Sequence, residues 1–188
     1  MRLYALAVLV VASTLSPVWG SENQSVRTCA DFTTGSPGTG VAYRGRVVND
    51  DYHMVISVPN GETGWGGVAD DAPFHGFDIF PVGSHSSCIV ILVGWRVEED
   101  EKPTRPPGST VVELDGTQAW LEQRRGTVEH QEMVNEIVSF SAPVRTVFAD
   151  GQAIMVAPAD EVPKVRKIYQ QLLKSLSFKK EDPAGHSS

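Results

Sequence analysis

Three histidines, His53, His75 and His85, and three aspartates, Asp70, Asp71 and Asp78, fall in one part of the chain. Imidazole and carboxylate together are ordinary zinc ligands, so the first chemistry to weigh is metal-dependent hydrolysis using these loop histidines. The spacing argues against it. No His-x-x-x-His or His-x-His pair occurs, and such pairs are what set two imidazoles on one face of an element. Ser84-His85-Ser86-Ser87 carries nucleophile-type residues but no Gly-x-Ser-x-Gly elbow, and reads as a serine-rich turn. The glycines at 61, 64, 66 and 67 are followed by no lysine, which a phosphate cradle requires. Glu98 to Glu101 lacks the alternating ligands and the glycine of an EF-hand loop and reads as solvated charge. No catalytic residue, metal or cofactor is assigned.

Binding is the chemistry this stretch suits better. Between the strand-like runs Tyr52–Val58 and Gly76–Phe80 lies a loop, 61 to 75, containing Gly64, Trp65, Gly66, Gly67 and His75. Glycines leave a backbone adaptable, and an aromatic among them supplies the large apolar contact that binding hot spots favour. These five residues are the candidate partner-binding surface, with Trp65 as anchor. The competing reading folds Trp65 back to plug one end of a sheet. His75, between Phe74 and Gly76-Phe77, reads equally as a residue at a strand entrance.

The flanking chain must supply a frame. Val41–Val48 and Tyr52–Val58 alternate as strands around Asn49-Asp50-Asp51, with Gly45 as a bulge, and predict a first hairpin. Cys88–Val97 is nearly continuous hydrophobe, the pattern of a strand buried on both faces. Val111–Leu114 and Gln118–Gln123 flank Asp115-Gly116, a dipeptide suited to tight hairpins. Glu132–Phe140 predicts another strand. Val144–Phe148 and Ala153–Val156 predict a second hairpin turning at Asp150-Gly151. From Glu161 to Phe178 the apolar period changes to that of a helix, with Val162, Val165, Ile168, Tyr169, Leu172, Leu173 and Leu176 on one face and Asp160 as cap.

The N-terminus, MRLYALAVLVVASTLSPVWG, has one basic residue before an apolar run and small residues at 20 and 21, as a secretory signal peptide does. The organisation that follows is a signal peptide at 1–20, an irregular arm at 21–40, one α+β domain at 41–178 and a flexible tail at 179–188. A formal net charge of −7 disfavours nucleic acid and anionic lipid as partners, and no stable membrane insertion is expected after cleavage. Cys29 and Cys88 are the only cysteines, and in an oxidising compartment they predict one disulfide.

Three segments resemble the PsbP-like family and the nuclear-import factor that shares its fold. They are YHMVISVPNG at 52–61, VVELDGTQAW at 111–120, and VFADGQAIMVAP with the following helical segment, which ends in Ser-Leu-Ser-Phe. The resemblance implies a mostly antiparallel β-sheet packed against a C-terminal amphipathic helix, an α/β/α sandwich, serving as a noncatalytic binding or assembly module. The expectation is therefore a secreted or periplasmic binding or assembly protein of the cell envelope with a protein partner. An inhibitor or immunity protein against an envelope hydrolase is the alternative within that class, and a metal-dependent hydrolase the alternative outside it.

Overall fold

The computed structural model describes residues 25–32, 40–50, 52–66, 76–84, 86–95, 104–144 and 147–178. Among the described residues eleven strands and one α-helix follow in order: β1 Val41–Tyr43, β2 Gly45–Asn49, β3 Met54–Val58, β4 Gly64–Gly66, β5 Gly76–Ile79, β6 Cys88–Trp95, β7 Thr110–Leu114, β8 Thr117–Val128, β9 Gln131–Val144, β10 Val147–Pro158, α1 Val162–Ser175 and β11 Ser177–Phe178. Eight strands form one sheet in the order β1-β4-β5-β6-β10-β9-β8-β7, and β11-β3-β2 form a second. Every pairing is antiparallel. The predicted mostly antiparallel sheet with a C-terminal helix is the fold observed. The segment 1–20, expected to be a signal peptide, the segment from 179, expected to be a tail, and the acidic run at 98–101 lie outside the described residues.

The hydrophobe at Cys88–Trp95 is an interior strand, paired to β5 on one side and β10 on the other, with its first four residues buried. Asp115 and Gly116 have φ of 50° and 72°, the left-handed pair that lets two residues join β7 to β8 without splaying them. Gln118–Gln123 proves to be part of a longer strand, β8, and Glu132–Phe140 part of β9. Glu129 and His130, at φ 47° and 70°, make the tight turn between them without any glycine.

One predicted hairpin forms with a shorter first strand, and the other is overturned. Val41–Val48 is not one strand. The chain breaks at Arg44-Gly45, where Gly45 has φ +58°, so β1 joins the large sheet beside β4 while β2 joins the small sheet beside β3. Asp150-Gly151 does not turn: β10 runs straight through it, paired to β9 and β6. A Cβ on Gly151 would come within 2.3 Å of the Phe140 ring and 2.6 Å of the Leu92 carbonyl oxygen, so this glycine is a packing requirement.

Alternation along the long strands divides two cores. Ile89, Ile91, Val138, Phe140, Ala153 and Met155 face α1 and the small sheet. Val90, Ile137, Ile154 and Val156 face the other way, against Val26, Cys29 and Phe32. On this second face the segment 25–32 contains a single 3-10 turn, Cys29–Asp31. The Cys29–Cys88 disulfide fastens it to β6, with Cα atoms 5.8 Å apart. Asn135, fully buried, accepts from the Arg27 N–H at 2.8 Å and donates to its carbonyl at 3.0 Å, so one side chain stands in for a ladder partner. Gly126 leaves room for Val26, whose methyl carbon lies 3.0 Å from where a Cβ would be.

Candidate functional site

The helix shows how the site is built. Val162, Val165, Tyr169 and Leu172 are buried, whereas Ile168 and Leu173 are only partly covered, so one flank of α1 stands clear of the sheet. Asp160 does not cap the helix. Glu161 is the N-cap and makes no capping bond, because its carboxylate accepts from the hydroxyls of Ser84 and Ser87. Those two serines are thereby structural, fixing the start of α1 to the turn before β6. At the other end the Ser175 hydroxyl accepts from the Ser57 N–H at 2.9 Å, extending the ladder on β3 beyond β11. Asp115 accepts from the Phe178 N–H at 2.9 Å and ties β11 to the β7–β8 turn.

Between α1 and the β7–β8–β9 end of the sheet these restraints leave a cleft of about 320 Å³. Its walls are chiefly apolar: Val112, Leu114, Leu121 and Val138 from the strands, Leu173 and Leu176 from the helical side. Glu113, Asp115, Gln170 and Lys174 lie at its exposed margin. Glu136 is the charged group of its interior and is 4 % exposed. Arg166 on α1 donates to Glu136 Oε1 through Nε at 3.0 Å and Nη2 at 2.5 Å, and Gln123 Nε2 donates to the same oxygen at 2.9 Å. Tyr169 is also in the lining, its hydroxyl donating to the Ala153 carbonyl at 2.7 Å. Burial, reinforced by the negative charge of Glu136, pushes the phenol well above the ordinary tyrosine range, so it stays protonated and serves as a fixed donor.

A mostly apolar concavity with a few convergent polar groups is the usual form of a small-ligand site. The Glu136 carboxylate is held by a guanidinium and an amide, and Tyr169 and Ser177 bring hydroxyls to the same lining. A second hollow, about 460 Å³, lies on the opposite face around Leu92, Trp120, Ser139 and Gln152. It is walled partly by Thr104 and Pro106, which continue from residues outside the described set.

The glycine-rich stretch is more ordered than a loop. Gly64, Trp65 and Gly66 form β4, paired to β1 and β5. Gly64 and Gly66 are buried, and a Cβ on either would meet an aromatic ring, Phe77 at 2.8 Å and Tyr43 at 2.5 Å. Close packing, not adaptability, accounts for these two glycines. Trp65 is half-buried and in register with Ala42 and Asp78. Gly67 and His75 lie outside the described residues. So do Asp70, Asp71 and His85 of the metal hypothesis. His53 sits in the β2–β3 turn with φ 52°, and Asp78 is buried in β5. No group of three or more His, Cys, Asp or Glu among the described residues is placed to hold a metal ion.

No family model matches this sequence and no curated protein matches it. Solved structures do match. LpqN of Mycobacterium tuberculosis, a protein involved in cell envelope biogenesis, superposes with a TM-score of 0.52 at 12% identity, covering 82% of this chain and 99% of that one. The cyanobacterial PsbP of Synechocystis gives 0.50 at 11% identity over 77% of this chain and 98% of its own. The resemblance is one of fold. A Bacteroides thetaiotaomicron protein gives 0.50 at 8% identity over 73% of this chain, which spans only about half of that protein, 49%. The PsbP-like likeness drawn from the three sequence segments therefore holds for the architecture.

The cleft itself was not anticipated from sequence, although a signal for it exists. Val134, Glu136, Val138 and Phe140 share one face of β9, so a carboxylate occupies a core-facing position in an apolar series.

Proposed function

We propose that this protein is a noncatalytic binding module acting outside the cytoplasm, at the cell envelope, and that the cleft beneath α1 is its ligand site. The observation that carries the reading is Glu136, a carboxylate almost wholly enclosed in an apolar cleft yet engaged through one oxygen only. Supporting it are the disulfide, which persists in oxidising compartments, and a fold shared with a protein of envelope biogenesis. No helix among the described residues is long and apolar enough to cross a membrane. Native mass spectrometry of the oxidised protein purified from its own source tests the reading. A small molecule should copurify with it and be lost from Leu173→Trp, which fills the cleft. Protein of the same mass with and without the substitution, beyond the side-chain difference, overturns it.

A second reading places a protein partner on β4, with Trp65 as its anchor. It is favoured by the half-buried state of Trp65 one strand in from the sheet edge. An inhibitor of an envelope hydrolase would use such a surface.

A further inference from the structure

Three donors converge on Glu136 Oε1: two from Arg166 and one from Gln123. None of these reaches Oε2. Among the described residues no enclosed side-chain oxygen or nitrogen lacks a hydrogen-bond partner. Oε2 is therefore the oxygen left in contact with the cleft space. A carboxylate oxygen in an apolar concavity accepts hydrogen bonds and has nothing to donate.

The charge balance narrows what it accepts from. Arg166 already neutralises Glu136, and the other two carboxylates of the lining, Glu113 and Asp115, lie at its exposed margin, so a second cation held at Glu136 would find no enclosed countercharge in low dielectric. An anion would face the carboxylate directly. A neutral donor meets neither penalty. The walls formed by Leu114, Leu121, Val138 and Leu173 ask for an apolar body, and about 320 Å³ is at the small end of ligand sites. We propose that the cleft binds a small uncharged amphiphile whose hydroxyl head donates to Glu136 Oε2 while its apolar body lies against these four side chains. This rests on the reading of the cleft as a ligand site.

The test uses four probes with one tail: 1-octanol, 2-octanone, octylammonium and octanoate, titrated into the oxidised protein. Binding is located by the methyl resonances of Leu121 and Leu173. The expected result is that octanol binds in the cleft about tenfold or more tighter than octanone, because only octanol donates to the carboxylate, and tighter than either ion. In Glu136→Gln the donors from Arg166 and Gln123 hold the carbonyl oxygen, so the amide N–H₂ takes the place of Oε2. The preference for octanol over octanone should then disappear while both still bind. Equal affinities in the wild type, tightest binding by either ion, or an octanol preference unchanged by Glu136→Gln would each overturn the proposal. Those outcomes leave the cleft a ligand site. Failure of all four probes to shift Leu121 and Leu173, with the fold intact, removes the cleft reading as well.

Discussion

Arg166 on α1 reaches Glu136 on β9 and sets both Nε and Nη2 on a single carboxylate oxygen, at 3.0 and 2.5 Å. The pair is asymmetric in burial, with the Glu136 side chain 5% and the Arg166 side chain 33% exposed. It links helix to sheet at the cleft, and it makes Glu136 tolerable among apolar neighbours. Removing a buried charge's partner costs more than the intact pair contributes, because the remaining charge is left unsolvated.

Arg166→Leu should accordingly lower stability by about 1–3 kcal/mol, less than for a fully buried pair because Arg166 is partly solvated. Adding Glu136→Leu should recover most of the loss, since no charge then remains to be solvated. Urea denaturation of the single and double variants reads both effects. A single variant as stable as the wild type refutes the account.

Gly151→Ala tests why Asp150-Gly151 fails to turn. The new methyl would meet the Phe140 ring and the Leu92 carbonyl oxygen, and the latter, being backbone, cannot move aside cheaply. The expected cost is about 2–3 kcal/mol, in the range of overpacked cores. Gly116→Ala, where nothing lies within 4 Å and only the positive φ of 72° opposes a side chain, should cost about 1 kcal/mol. Thermal melts that rank the two the other way overturn the packing explanation.

These two glycines also mark what the sequence could reveal. Asp115-Gly116 and Asp150-Gly151 are the same dipeptide between apolar runs, and local chemistry cannot distinguish them. What separates them is Phe140, which lies opposite Gly151 in the β9–β10 register. Cys88–Trp95 and α1 were legible because run length and period are local signals. The Glu129-His130 turn was not, since it places two non-glycine residues at positive φ under the demand of the long β8–β9 pairing. The cleft was harder still: Glu136, Leu121 and Leu173 meet only through tertiary packing. Only the carboxylate within the alternating series of β9 announced it.

Tyr169 gives a pH dependence with a definite sign. Burial raises its folded pKa above the ordinary value of 10.0. The unfolded chain thus releases this proton first, so the tyrosine's contribution is fully present below pH 10 and is lost as pH rises above it. Stability from urea melts should fall across that alkaline range. Tyr169→Phe should lose about 1 kcal/mol near neutrality with its bond to Ala153, and should show a shallower alkaline decline. An identical decline in the variant would falsify the assignment to Tyr169.

Trp65 distinguishes a binding anchor from a plug of the sheet. A buried tryptophan truncated to alanine costs about 3–5 kcal/mol, and an exposed one almost nothing. Trp65 is half-buried on β4, between Ala42 and Asp78, so Trp65→Ala should cost about 1–2 kcal/mol. Gly64→Ala and Gly66→Ala should cost at least as much, because Phe77 and Tyr43 fill the space their side chains would need. For the reading in which β4 carries a protein partner, Trp65→Phe is the sharper variant. It keeps most of the packed area and should leave the melt within about 1 kcal/mol. It removes the indole edge and N–H that an aromatic hot spot uses, so partner affinity should fall tenfold or more, about 1.4 kcal/mol. Quantitative binding of the wild type and Trp65→Phe to whatever partner the oxidised protein captures decides the matter. Undiminished affinity in a folded Trp65→Phe leaves β4 a purely structural strand.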